Sequence, residues 1–196
     1  MNFNNDWKDE KRILKELEHP YVVNLRFSFQ SESKAYLVTD YCSGGDLSHW
    51  IKKKGKFDEH IVRFYAAETI LALQYLHEKL NIIHRDIKPE NILITYDGHI
   101  KITDFGLSKS NFWHGIEGNI DFLKACVNTV TLCGTPDYLA PEVILGKPYG
   151  PVIDYWSLGC LMYKMLTGNS TFGRTRKDKL IQSILKVGLF SKDSID

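Results

Sequence analysis

The chain has 196 residues, 43% of them hydrophobic and 25% charged, with a formal net charge of +1. That is the composition of one soluble globular domain, or two small ones, with enough apolar material for a sizeable core. The near-neutral charge argues against a polyanion such as nucleic acid as partner. The four cysteines, Cys42, Cys126, Cys133 and Cys160, show no C-x-x-C pair and no ligand spacing with histidine. Reduced thiols in the cytoplasm or the nucleus are therefore expected, rather than a metal site. The polar start MNFNNDWKDE lacks the apolar core of a signal peptide, and no run reaches the roughly 20 apolar residues of a membrane span.

In chain order, Asp6 to Glu18 reads as a helix, with Ile13, Leu14 and Leu17 on one face; His19-Pro20 ends it. Asn24 to Gln30 alternates as a strand, with Leu25, Phe27 and Phe29 on one side, and Ala35 to Thr39 follows as a second strand after the turn Ser-Glu-Ser-Lys. The loop Asp40-Tyr41-Cys42-Ser43-Gly44-Gly45 leads to Asp46, an N-cap for a short amphipathic helix to Lys53. Asp58 is expected to cap a long helix to about Glu78, with Ile61, Phe64, Tyr65, Ile70, Leu73 and Leu76 turned inward. Residues 108–130 have no clear period and read as an expanded loop. Pro151 to Thr167 is apolar nearly all round and is expected to be a buried helix. A last helix covers Arg176 to Val187.

The stretch Ile82 to Gly106, IIHRDIKPENILITYDGHIKITDFG, carries the chemistry. Two short β-branched runs, ILIT and HIKIT, flank Tyr96-Asp97-Gly98, a strong hairpin signal. The hairpin brings the loop with Asp86, Lys88 and Asn91 toward the loop with Asp104, Phe105 and Gly106. One Asp can orient a hydroxyl or take its proton. An Asn and a second Asp supply hard oxygen ligands suited to Mg²⁺. A Lys two residues after the first Asp can neutralise charge on a transferring phosphoryl group.

HRDIKPEN, then DFG, then Ala140-Pro141-Glu142 occur in the order of protein kinases, and the chain resembles that superfamily over nearly its whole length. The resemblance implies an α+β, protein-kinase-like fold with a mostly helical large lobe. It implies ATP and Mg²⁺ as cofactors, and transfer of the γ-phosphoryl group to serine or threonine of a protein substrate. Asp86 would be the catalytic acid–base group. Lys88, which points to the serine/threonine class, would stabilise the phosphoryl group. Asn91 and Asp104 would hold the metal, and Thr135 would bond Asp86 and Lys88. Asp40 and Cys42 would meet the adenine through their backbone and Asp46 the ribose; Glu90 and Leu93 would complete the cofactor site. Thr39 stands at the gatekeeper place. Phe105 and Gly106 would shape the metal-binding loop, Asp154 would hold the backbone of the catalytic loop, and Glu142, whose family partner is an arginine on later helices that do not follow here, is expected to be unpaired.

TLCGTPDYLAPE, Thr131 to Glu142, resembles the AGC group. It implies control by phosphorylation of Thr131 by an upstream kinase, with Arg85 and Lys109 meeting the roughly −1.5 to −2 charge added. Glu90 and Asp137 would offer acidity to basic residues of a substrate, whereas Lys164 stands where basophilic relatives often carry an acid.

The division expected is a partial small lobe of one helix and two strands over 1–39, a hinge over 40–45, and a large lobe over 46–196 without its last helices. A monomer is expected. No G-x-G-x-x-G loop and no VAIK-like strand occur in the chain, so Glu10, at the place of the helix glutamate, has no family lysine to pair with. This leaves a rival reading: a weak or inactive kinase-like fragment or scaffold.

Overall fold

The computed structural model describes residues 6–31, 34–110, 133–173 and 177–190. Helix α1, Asp6–Glu16, packs Ile13 and Leu14 into the core, and Leu17, just past its end, joins them. Strands β1, Leu25–Gln30, and β2, Ala35–Thr39, pair antiparallel with a bulge between Leu25 and Phe27. The bulge re-aims the strand. Phe27 and Phe29, cross-strand from Val38 and Tyr36, stand on an exposed face, Phe27 being 71% and Phe29 58% accessible.

Between α1 and β1 the chain runs beside the central hairpin. Val23 donates to the Ile102 carbonyl at 3.0 Å, and Ile102 donates back to Tyr21 at 2.9 Å. That hairpin is β4, Ile92–Ile94, against β5, Ile100–Ile102, with Ile92, Ile94, Ile100 and Ile102 all buried. Gly98 turns at φ 89°, and the Thr95 N–H reaches the His99 carbonyl at 2.8 Å. Two two-residue strands, β3, Ile82–Ile83, and β6, Lys109–Ser110, pair antiparallel.

The remaining elements are helical. Helix α2, Leu47–Lys54, starts as expected on Asp46, whose carboxylate accepts from the His49 N–H at 2.8 Å. Helix α3, Glu59–Gln74, passes into a π-turn over Tyr75–Lys79 instead of continuing to Glu78 as α-helix. Asp58 stands at its N-cap but makes no side-chain capping bond. The inward face also differs from expectation: Phe64 and Ile70 are more than 40% exposed, while Val62, Ala66, Glu68, Thr69, Ala72 and Leu73 are buried. Glu68 decides this orientation. One carboxylate oxygen accepts the Ile100 N–H at 2.9 Å and the other meets the His99 ring. A half-apolar helix can turn either way; a carboxylate with two hairpin donors cannot.

The short α4, Pro141–Ile144, precedes α5, Val152–Thr167, which crosses the core and buries Ile153, Asp154, Ser157, Leu158, Cys160, Leu161 and Met165. Helix α6, Lys177–Phe190, ends the described residues. No described helix is long and apolar enough to cross a membrane.

Helix α5 stops at Gly168, at φ 76°, and a Cβ there would lie 2.3 Å from the Gly55 carbonyl oxygen. Both the left-handed backbone and the close approach demand glycine. Gly168→Ala should therefore lower stability by about 1–3 kcal/mol, read as a lower urea midpoint at unchanged slope. A second expectation concerns Glu68 and His99. The carboxylate, by hydrogen bond and then charge, raises the His99 pKa above its ordinary value. The folded state thus holds this proton more tightly than the unfolded chain. The stabilisation is complete below the unfolded imidazole pKa and is lost as pH rises through the folded one. Thermal melts from pH 5 to 9 should show that loss, and Glu68→Gln should remove it.

Candidate active site

Asp86 lies on the loop after β3 and is 5% exposed. Lys88 donates to Asp86 Oδ2 at 2.6 Å, and Asn91 Nδ2 donates to Oδ2 at 3.1 Å and to the Asp86 carbonyl at 2.9 Å. Thr135 donates to Asp86 Oδ1 through its N–H at 3.1 Å and its hydroxyl at 2.9 Å. Lys88 also reaches the Thr135 hydroxyl at 3.0 Å. Burial pushes the Asp86 carboxyl up, but the hydrogen bonds from Lys88 and Thr135 and the Lys88 charge outweigh it, so its pKa is lowered. Asp86 is an anion aimed at by donors from two loops 49 residues apart. Gly134 allows that approach: it turns at φ 103°, and a Cβ there would lie 2.7 Å from the Arg85 carbonyl.

The loop carrying Asp86 is held from below. Asp154, fully buried at the start of α5, accepts the His84 N–H at 2.9 Å and the Arg85 N–H at 2.8 Å, and meets His77 Nε2 at 2.7 Å. Burial would raise this acid; the His77 hydrogen bond and charge overcome it and lower its pKa. Arg85 is thereby kept at φ 70°, an uncommon backbone for a long side chain. His84 is wholly buried, and burial lowers its pKa. It is therefore neutral, with Nδ1 accepting the Asp86 N–H at 3.3 Å and Nε2 donating to the Thr103 carbonyl at 3.0 Å. Its ring meets buried Phe105 edge-on at 5.1 Å.

Asp104 follows β5 at φ 65°, exposed, with Gly106 donating to its Oδ1 at 3.4 Å. The Thr103 N–H bonds the Asn91 carbonyl at 3.0 Å, which ties the two loops together. Asn91 spends its NH₂ on Asp86, leaving its side-chain oxygen free to coordinate, and Asp104 adds a carboxylate. These donors fit a hard cation such as Mg²⁺. Glu10 reaches the same corner: its Oε2 lies 3.9 Å from a Cβ placed on Gly106. Burial first, then the Asp104 charge, raise its pKa. Among the described residues Glu10 has no ion-pair partner.

The loop 40–45 is pinned to β4, Gly44 donating to Ile94 at 2.9 Å and Ile94 to Gly45 at 2.8 Å. The Asp40 side chain is held by Arg26 Nε at 2.6 Å, Lys101 at 3.2 Å and Asn24 at 3.1 Å. No backbone bond among the described residues uses the Asp40 carbonyl or the Cys42 N–H. Cys42 is buried, and Asp46 is engaged in its cap. Leu93 is half-buried and bridges to Asp46, while Glu90 accepts the Ser48 hydroxyl at 2.9 Å.

Among the residues read as regulatory, Arg85 donates to the Leu107 carbonyl and to the Tyr149 hydroxyl at 3.3 Å, and Lys109 lies in β6 opposite Ile83. Thr131 and most of 108–130 fall outside the described residues. Glu142, in α4, has no ion-pair partner among the described residues. Sequence reasoning missed His77, Tyr149 and Glu68. Each acts through a partner 31 or more residues away, and no local pattern marks such a pairing.

The protein kinase domain model matches residues 2–193. The chain is similar to Protein kinase 3 of Dictyostelium discoideum, 45% identical over 186 residues that cover 92% of this chain and 20% of that protein. It is 45% identical over 176 residues to the RAC family serine/threonine-protein kinase homolog of the same organism, covering 90% of this chain and 37% of the relative. It is 43% identical over 187 residues to serine/threonine-protein kinase gad8 of Schizosaccharomyces pombe, covering 95% and 31%. The chain thus spans about a fifth to two fifths of the length of these relatives.

Removing the Asp154 carboxylate would strand three buried donors. Asp154→Ala should cost about 3–5 kcal/mol, measured by urea unfolding.

Proposed function

The chain belongs to the protein kinase domain family, and on that premise we propose that it carries the transfer site of an ATP-dependent protein serine/threonine kinase. One observation carries the reading: a single carboxylate, Asp86, is gripped by Lys88, Asn91 and Thr135, with Asp104 on the adjoining loop. The serine/threonine type of the relatives supports the acceptor class. In this mechanism a substrate hydroxyl hydrogen-bonds Asp86. Its oxygen bonds the γ-phosphorus as the bond to the departing ADP oxygen breaks, and its proton passes to Asp86. Because Asp86 has a lowered pKa, its contribution is orientation first and late proton acceptance second. Lys88 swings between Asp86 and the transferring phosphoryl oxygens. Asn91 and Asp104 would hold Mg²⁺, which supplies charge neutralisation of the phosphates. Asp40 and Cys42 would take the adenine edge through their backbone, with 1–39 as part of a small lobe, 40–45 as hinge and 46–196 as large-lobe chain. Glu90, Leu93 and Asp46 would flank the nucleotide.

Phosphorylation of Thr131 by an upstream kinase would supply an anion for Arg85 and Lys109 to meet. Arg85 is already anchored by Leu107 and Tyr149 and adjoins Asp86, so its pairing would bear on the transfer loop directly.

A second reading has its own observation. Glu10 faces Asp104 without a described cation, and the chain has no Gly-rich loop. Groups that act as a unit lose orders of magnitude when one is missing. The chain alone would then turn over far below the roughly 1–100 s⁻¹ usual for kinases.

Mg²⁺·ATP at 100 times its Kd should stabilise the purified chain by about 2.7 kcal/mol, seen as a raised melting temperature. Asp104→Asn should abolish the Mg²⁺-dependent part and any phosphate transfer to serine peptides. A folded chain that shows no Mg²⁺-dependent shift, or that shifts with negligible transfer, selects the second reading. Transfer that persists in Asp104→Asn sinks the roles given to these residues.

A further inference from the structure

Many serine and threonine hydroxyls of the described residues give their proton to a neighbour. Ser48 donates to Glu90 at 2.9 Å, Ser108 to the His84 carbonyl at 3.3 Å, Ser157 to the Tyr138 carbonyl at 2.7 Å and Ser170 to Asp137 at 2.7 Å. Ser110 differs. Its Oγ accepts from the Arg12 guanidinium at 3.0 Å, across 98 positions of sequence, and its own proton goes to no acceptor among the described residues. Replacing that proton breaks no bond. Arg12 also has capacity left. Its one ion pair among the described residues is with Asp9 at 3.6 Å, both side chains being more than half exposed; such a pair is weak. Lys8 and Lys15, one turn to either side of Arg12 on α1, are exposed and have no ion pair among the described residues. Against these three cations the same side of α1 carries Asp9 and Glu16. A guanidinium with spare N–H groups thus holds a hydroxyl where a doubly charged phosphate would make two charge-assisted bonds.

The contact joins two parts of the site. Ser110 pairs with Ile82 in the β3–β6 ladder, and β3 runs on into His84, Arg85 and Asp86. Arg12 stands on α1 two residues after Glu10, which feels the charge of Asp104. Strand β6 has two residues and one neighbour, so it opens at little cost to present the half-buried Ser110 to an enzyme.

We propose that Ser110 is a phosphorylation site whose phosphate, gripped by Arg12, clamps α1 to the strand pair leading into the transfer loop. The serine oxygen bonds the γ-phosphorus of ATP as the bond to ADP breaks, and the hydroxyl proton is released. A protein kinase acting in trans supplies the catalysis, so the site needs no phosphate transfer by this chain. It differs from the control expected at Thr131, whose cations are Arg85 and Lys109.

Phosphoserine encoded at position 110 of the whole chain tests the clamp without turnover. At low salt the phosphorylated chain should melt about 2–4 °C higher than the unmodified one. The gain should fade in 1 M salt, and α1 amides should exchange about tenfold more slowly. Arg12→Ala should lose the gain while leaving the unmodified chain nearly unchanged, and Arg12→Lys should keep part of it. An unchanged or lowered melting temperature, or a gain intact in Arg12→Ala, would overturn the clamp. The modification itself is read by mass spectrometry of the chain purified from eukaryotic cells treated with a serine/threonine phosphatase inhibitor. The tryptic peptide Ser110–Lys124 has Ser110 as its only hydroxyl-bearing residue. Phosphate on that peptide is expected, and its absence overturns the site.

Discussion

A carboxylate with no access to water, Asp154, sets the backbone from which the transfer loop is built. Burying an unpaired charge is costly, so the side chain survives only because the His84 and Arg85 N–H groups and His77 converge on it. The same bonds oblige Arg85 to adopt its left-handed backbone, and that turn directs Asp86 toward Lys88, Asn91 and Thr135. The constraint passes upward in steps. Helix α5 is fixed by its buried apolar side chains, Asp154 is fixed on α5, and the loop is fixed on Asp154.

A second anchor controls the other half of the site. Asn91 and Asp104 sit on the two strands' ends at the open end of the β4–β5 hairpin, so their placement depends on how that hairpin is held. Its four isoleucines bury it, but apolar packing tolerates sliding. Glu68 does not, because its two oxygens meet the Ile100 N–H and the His99 ring at fixed places. The segment at Val22 and Val23 clasps the same strand through Ile102. A polar contact on α3 and a backbone contact from the N-terminal region thus specify one register where hydrophobicity alone allows several.

The parts legible in the sequence were those encoded locally. Asp97-Gly98 between β-branched runs fixes the hairpin, Asp46 caps α2, and the apolar run after Pro151 becomes α5 almost as read. HRDIKPEN and DFG point to the loops that do come together, and the protein kinase domain match covers residues 2–193, in keeping with that fold. The illegible parts depend on distant partners. Leu73 and Leu76 are buried as expected and Ile61 and Tyr65 pack on the core, but Phe64 and Ile70, also read as inward, are exposed, because Glu68 holds the helix through donors 31 and 32 residues later. The π-turn at Tyr75–Lys79 has no sequence signal, yet it delivers His77 to Asp154. The contact between Arg12 and Ser110 is likewise a product of tertiary placement.

The charge arrangement around the site bears on how much of a nucleotide's charge the chain can meet. Lys88 is the cation directly at Asp86, and it is already committed to that carboxylate and to Thr135. Glu10 and Asp104 bring two carboxylates to the opposite corner; burial first, and then the Asp104 charge, raise the Glu10 pKa. A triphosphate approaching that corner would meet repulsion unless a cation intervened. A divalent metal held by Asn91 and Asp104 would offset one carboxylate; a further cation near Glu10 would offset the second. Beside this imbalance, the outer face of β1 and β2 leaves Phe27, Phe29, Tyr36 and Val38 open to solvent. A two-stranded sheet with one uncovered apolar face is marginal by itself. The electrostatic and the hydrophobic deficits fall in the same region, around α1 and the β1–β2 pair, whereas the loop on Asp154 is satisfied within the described residues. Loss of function in this chain would therefore begin at nucleotide phosphate binding, with the geometry of Asp86 left intact.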